Sequence, residues 1–417
     1  MNDKAFEVTP RSVFAIVVPV TIASMTTPLI GITDMAVIGR LGDAALLGGL
    51  AIGAILFDLI FTSLNFLRSG TTGLTAQALG AQNTAEQHAV LNRALLLSVI
   101  IGVILVLFAK PMLQFGLYVM QASPEVAAAV SAYFVIRILS APLTLLNYTI
   151  LGWLLGLGLA RRSLVLQLVA NGINIVLSIY LGLIKGYGIE GVAWATVISE
   201  LAACILGFYF VRLHAGHFVW GSWQALLNKQ KIKRTLSLNS DIIIRSFILL
   251  FAFSFFTAQG SRMGDITLAA NAILMNFFLL SAFILDGFAT ATEQLVGKAI
   301  GARYLPAFNK TVRISLIWSA ILSALIFCFL MLFGPTIIAW LTTNLAVQKE
   351  ANIYLIWAAL TGVFGVLAFQ MDGVFIGATW SKDMRNMMII SLAVYFLAWW
   401  LFTPLWHNHG LWLSLEV

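Results

Sequence analysis

The sequence predicts an all-α integral membrane protein. Its expected plan is twelve transmembrane helices in two six-helix bundles, related by a pseudo-two-fold axis along the membrane normal, with the last helix cut short. Three observations lead there. Of the 417 residues, 60% are hydrophobic and 10% charged, whereas soluble proteins carry about 25% charged residues; so few charges cannot coat a water-facing surface. Apolar runs recur at the length of about 20 residues that spans a hydrocarbon core. Finally, the two halves share residues at one constant spacing of 221 (300 − 79), beginning with Leu79-Gly80-Ala81-Gln82 against Ile300-Gly301-Ala302-Arg303.

The elements follow in order. The first apolar run, 12–38, is too long for a signal-peptide core and no small-residue cleavage site follows it, so it is read as a retained spanning helix. Further helices are predicted near 45–68, 94–117, 126–152, 163–183 and 191–212, then near 241–260, 268–292, 314–334, 351–377, 387–405 and from 410 onward. The last stretch is too short to cross before Val417; the expectation is that the natural chain continues, or that Leu415, Glu416 and Val417 are foreign to it. The predicted organisation is an N-terminal bundle over 1–217, an amphipathic cytoplasmic linker over 218–237 and a C-terminal bundle over 238–417. The linker sets Lys229, Lys231, Lys233 and Arg234 beside Trp220 and Trp223, a pattern suited to lying on anionic lipid or to recruiting a partner.

Charge sets the orientation. With the N-terminus cytoplasmic, 18 Lys and Arg fall on the inner side and five (Arg40, Lys110, Lys185, Arg262, Lys349) on the outer, while Arg137 lies within a span. This is the positive-inside bias. It also accounts for the net charge of +7 without a nucleic-acid partner. Further matches at the same spacing (Tyr133 with Tyr354, Leu155-Gly156 with Ile376-Gly377, Arg161 with Lys382) indicate a duplicated six-helix unit. Transporters built from such repeats place substrate and ion sites near mid-membrane.

Several chemistries are excluded. Cys204 and Cys328 fall in apolar runs and show no metal-ligand spacing; the five histidines fall in predicted loops; no metal or cofactor is expected. The Gly297-Lys298 pair has Thr292 where a phosphate-binding loop needs glycine and Ala299 where it needs Ser or Thr. No nucleophile elbow or zinc-protease motif is present. The chain is therefore not read as an enzyme, and an ion gradient is left as the energy source for active transport.

Attention falls on acids inside spans, which cost several kcal/mol on insertion and mark function by default. Asp34, Asp58, Glu200 and Asp286 stand inside predicted helices, with Asp372 toward the inner end of its span. Asp241 and Glu293 read as interfacial charges, Asp241 with Arg245 one turn on as a local pair. Asp34 is the sharpest case: no other ionisable residue occurs in its run before Arg40. A desolvated acid there is expected to exchange protons near neutral pH; the alternative is an acid snorkelling outward or paired with Arg137. Pro19 and Gly31 on the same helix, with Pro28 between, suggest a bendable gate or a static kink. Asn171, Asn174 and Ser178 recur at helical spacing on the fifth span and Thr196 lies early on the sixth, as glue between helices or as a polar network around Asp34.

The run Gly31-Ile32-Thr33-Asp34-Met35-Ala36-Val37-Ile38-Gly39-Arg40-Leu41 resembles the first-helix signature of the multidrug and toxic compound extrusion (MATE) family. The stretch Phe66 to Gln77, with Leu285-Asp286-Gly287-Phe288-Ala289 and Met371 to Thr379, is similar to its DinF-like branch. The likeness extends over essentially the whole chain. It implies a V-shaped pair of bundles that acts as a secondary active multidrug efflux antiporter in a bacterial inner membrane, monomeric, exchanging protons for small cationic or amphipathic drugs. Asp34 matches the coupling carboxylate, Asn174 and Thr196 its polar network. Where the family often has an aspartate one turn after that asparagine, this chain has Ser178. Sodium usually wants two carboxylates, so the resemblance here favours protons. Asp286 and Asp372 are possible polar sites of the second half. A sodium-coupled exporter and a lipid flippase of the same superfamily are the alternatives.

Overall fold

A computed structural model describes residues 6–215 and 229–417, and among these residues it is helical with no strand. The helices are α1 Pro10–Gly39, α2 Ala44–Ser63, α3 Phe66–Gly80, α4 Thr84–Leu107, α5 Ala109–Met120, α6 Pro124–Arg137, α7 Ala141–Gly156, α8 Ala160–Leu177 and α9 Gly188–Ala215. They continue as α10 Lys229–Arg262, α11 Asp265–Gly301, α12 Leu305–Leu341, α13 Leu345–Ala378 and α14 Ser381–Glu416. Where short breaks are bridged, 11 of the described segments are long and apolar enough to cross a membrane. A multi-pass, all-α membrane protein is what the apolar runs predict. Helix α14 is interrupted at His407 (φ 48°, ψ −124°), between the last two predicted spans.

Helix boundaries depart from the apolar runs at their basic ends. The second predicted span stops at 68, yet α3 continues to Gly80; the eighth stops at 292, yet α11 continues to Gly301. Segment 69–80 is rich in Ser, Thr and Gly, so it scores poorly as a span. Its small side chains instead let another helix approach, and Ser69, Thr71, Thr72 and Thr75 are buried there. The third predicted span, 94–117, is two helices: α4 ends at Leu107 and α5 starts at Ala109. The predicted linker lies outside the described residues up to 228, and α10 begins at Lys229.

The chain divides into two compact units. One holds Val18–Thr235; the other holds Leu236–Val417 together with the stretch through Val17. The predicted N-terminal bundle begins at residue 1, but the first turns of α1 group with the later residues. The reason is local packing: the Phe14 ring meets Phe288 (5.7 Å) and Trp318 (5.1 Å) edge-on, and Glu7 pairs with Lys310 at 3.2 Å.

Each unit is built on the same close crossing. In the first, α3 packs on α7, and a Cβ on Gly152 would lie 2.3 Å from the Arg68 carbonyl oxygen. In the second, α11 packs on α13, and a Cβ on Gly373 would lie 2.3 Å from the Ala289 carbonyl oxygen. Both members of the second contact stand 221 residues after those of the first (373 − 152 and 289 − 68). Helix α4 rests on α7 beside this seam, where Ser98 bonds the Thr149 hydroxyl at 2.7 Å. The turns repeat as well: Gln82 (φ 56°) has its counterpart in Arg303 (φ 53°). The duplication is thus present in backbone geometry.

Candidate functional site

Asp34 projects from the last third of α1 and is 4% exposed. Its Oδ1 has no hydrogen-bond partner among the described residues, and the Ser178 hydroxyl lies beside the carboxyl group. Arg137, the partner of the alternative reading, acts on Asp34 through space but forms no ion pair with it within 4.0 Å. The guanidinium is held elsewhere: it donates to the Tyr133 hydroxyl and sits 4.8 Å from the Phe57 ring centroid, a cation–π position. Asp34 is therefore buried without a fixed counter-ion.

The polar residues picked out on the fifth and sixth predicted spans converge. Asn174 on α8 donates to the Thr196 hydroxyl on α9 at 3.1 Å and to Ser199 at 3.4 Å. Ser178 donates to the side-chain amide oxygen Oδ1 of Asn174 at 3.5 Å. At Ser178 the helix changes from α to a π turn, Ser178–Ile184, a widening that recurs at functional sites. The π turn fits because Gly191 lets α9 come close: a Cβ there would lie 2.7 Å from the Leu181 carbonyl carbon. Periodicity alone gave no sign of this change of winding. Asn171 is turned toward α1 instead, donating to Thr26 at 2.7 Å.

Asn174 and Thr196 also border a cavity of about 260 Å³ within this unit, whose wall includes Asp58, Arg137 and Glu200. Glu200 accepts from the Asn147 amide at 2.6 Å. Sequence reasoning missed Asn147, Tyr148 and Gln167 in this wall; an uncharged polar residue in an apolar run is the signal that would have found them. The volume lies just below the usual 300–1,000 Å³ of drug-sized pockets.

On α1, Pro19 and Pro28 lie inside a continuous helix. The division between the two units passes between Val17 and Val18, next to Pro19. A Cβ on Gly31 would meet nothing within 4 Å, so packing does not require glycine there.

The acids of the other unit behave differently. Asp372 is paired with Arg245 at 2.6 Å, and Asp286 is close enough to Asp372 to act on it electrostatically. The expected Asp241–Arg245 pair is absent. Asp241 is 3% exposed and holds Arg385 at 2.7 Å and the Ser381 hydroxyl at 2.7 Å. An exposed pair one turn apart is worth only about 0.2–0.5 kcal/mol, so the two partners on α14, Ser381 and the half-buried Arg385, win. Glu293, read as interfacial, is 6% exposed, at the crossing where a Cβ on Gly377 would lie 2.3 Å from its carbonyl oxygen. Among the described residues no three His, Cys, Asp or Glu side chains gather as a metal site would need. Of the histidines expected in loops, His88, His214 and His409 are helical, while His407 stands at the break in α14.

Comparison with known proteins gives concordant results. The MatE family model matches residues 19–180 and 242–400. The chain is 37% identical over 414 residues to DNA damage-inducible protein F of Escherichia coli K12, covering 98% of this chain and 89% of that one. It is 26% identical to the probable multidrug resistance protein NorM of Caulobacter vibrioides, over 93% of this chain and 83% of that one. Its fold superposes on a crystal structure of MATE in the straight conformation with a TM-score of 0.90 at 19% identity, covering 98% and 92% of the two chains. A bent conformation gives 0.89, also at 19% identity, covering 98% and 91%.

Proposed function

Because this chain belongs to the MatE family of multidrug transporters, we propose that it is a proton-coupled antiporter exporting cationic or amphipathic compounds, with Asp34 as the coupling group. One observation carries the reading: Asp34 is a buried carboxyl group beside the Ser178 hydroxyl, with no ion pair among the described residues. A carboxylate clamped to a guanidinium cannot exchange its charge cheaply, whereas one surrounded by neutral dipoles can carry either a proton or a cation.

In this mechanism, a proton entering from outside neutralises Asp34, removes its attraction for a cationic cargo and releases that cargo outward. Loss of the proton to the inside restores the site. Ser178, Asn174 and Thr196 connect Asp34 to the cavity wall, so a change of charge at one is felt at the other. Pro19 and Gly31 are the proposed hinge points of α1. At 100 mV the membrane potential supplies about 2.3 kcal/mol per charge, roughly a fiftyfold concentration ratio, enough for useful export. Protons are favoured over sodium because Ser178 stands where a second carboxylate would complete a cation site. The site belongs to the bacterial inner membrane with the N-terminus cytoplasmic, an orientation supported by the distribution of Lys and Arg.

The test is export of a fluorescent cation from proteoliposomes under imposed proton or sodium gradients. A proton gradient is expected to drive transport and a sodium gradient of equal size to leave it at background. Sodium-driven transport with no response to protons would overturn the coupling, and no cation movement under either gradient would overturn the antiport.

A further inference from the structure

The duplicated units differ sharply at one corresponding place. In the second unit, the turn between α11 and α12 and the turn before α14 together frame a pocket of about 270 Å³ lined by Ile300, Arg303, Tyr304, Leu305, Phe308 and Trp380. The Phe308 and Trp380 rings stand 6.4 Å apart, and Leu305 and Trp380 are 66% and 47% exposed. At the corresponding positions of the first unit, 221 residues earlier, stand Leu79, Gln82, Asn83, Thr84, Gln87 and Leu159. The backbone is the same, with a left-handed residue at both Gln82 and Arg303. Three of these positions have become aromatic (Tyr304, Phe308 and Trp380), and Arg303 adds a cation where the first unit has Gln82.

One exposed cation, Arg303, stands in the pocket's wall, and a second, Lys382, follows Trp380 by two residues outside the lining. Neither forms an ion pair among the described residues. Other basic residues near this end are engaged: Lys310 with Glu7, Arg385 with Asp241 and Lys298 over the Phe6 ring. The turns lie at helix ends, where a spanning helix leaves the hydrocarbon, and Trp and Tyr favour that headgroup depth. Basic pockets between spanning helices at this level take anionic head groups.

We propose that this pocket is a binding site for an anionic phospholipid, its phosphate on Arg303 and one acyl chain against Leu305, Phe308 and Trp380. The charge selects the occupant: a zwitterionic lipid would fill the apolar wall but leave Arg303 without a net countercharge. The site is independent of the coupling carboxylate, so it stands or falls apart from the antiport reading.

The experiment is native mass spectrometry of the purified full chain titrated with phosphatidylglycerol or phosphatidylcholine of identical acyl chains. The wild type is expected to retain phosphatidylglycerol about fivefold better, the effect of one basic side chain near an anionic head group. Arg303→Gln installs the residue already found at Gln82, so the backbone tolerates it; it should erase the preference with an unchanged melting temperature. Trp380→Leu, the residue at Leu159, should lower retention of both lipids. Equal retention of the two lipids by the wild type overturns the proposal without recourse to any variant. So does an undiminished preference in Arg303→Gln, or displacement of phosphatidylglycerol by millimolar inorganic phosphate, which would mark a free-anion site.

Discussion

The two units share a skeleton and part company over charge. Beside Asp34 stands the neutral Ser178 hydroxyl, bonded on to Asn174 and from there to Thr196, and Arg137, which acts on Asp34 through space, is occupied by Tyr133 and Phe57. In the second unit Asp372 is held by Arg245 and Asp241 by Arg385. The same problem, a carboxyl group shielded from water, thus has two solutions. A fixed counter-ion makes the acid a structural rivet; neutral dipoles leave it free to change its charge. Burial alone does not separate the two, since Asp34 and Asp241 are buried almost equally, at 4% and 3% exposure.

The comparison can be broken most directly at Asp34. Asp34→Asn should reduce proton-driven export in proteoliposomes to that of empty vesicles, with circular dichroism and melting unchanged. Retained export would end the assignment. Next in size are the glycine crossings. Gly152→Ala and Gly373→Ala each put a methyl carbon 2.3 Å from a carbonyl oxygen, and each should cost about 3 kcal/mol or more, the upper end for overpacking. Thermal unfolding should place the two within error of each other if the repeat is mechanical as well as visual.

Smaller effects sharpen the contrast. Asp372→Asn leaves Arg245 without its partner and should cost about 2 kcal/mol, less than the 3–5 for full burial because both side chains keep some exposure. Replacing Arg245 by Met in the same chain should recover most of that loss; a double variant no more stable than the single would show that Asp372 is no rivet. Ser178→Asp supplies a second carboxylate beside Asp34 and should make export respond to sodium, read from the same vesicles under a sodium gradient. Smallest is Gly31→Ala. With open space around its Cβ the variant should gain about 0.5–1 kcal/mol of helix stability, while a slower export rate would register the glycine as a moving joint.

Much of this was legible beforehand, and for definite reasons. The spans follow from apolar run length because lipid leaves backbone groups no partner but their own helix. Asp34 was conspicuous because ionisable residues are so rare in such runs, and Asn174, Ser178 and Thr196 because helical spacing aligns them. Segment 69–80 was not legible as helix, since its stability comes from close packing on α7 and not from hydrophobicity. The pairing of Asp241 went unseen because a one-turn neighbour in sequence says nothing about Arg385, 144 positions away.

The amino-acid order by itself determined that this chain lives in a membrane, how it is segmented, that it is duplicated, and which few acids must be explained. Those are properties of composition and period, summed along the chain and insensitive to what lies opposite. Tertiary structure alone decided which acid is neutralised by a guanidinium and which is not, where α8 unwinds into a π turn, and which of two corresponding turns became aromatic and basic. Such outcomes depend on contacts within a few ångströms between distant segments, where electrostatic and packing energies are steepest and linear spacing carries no information.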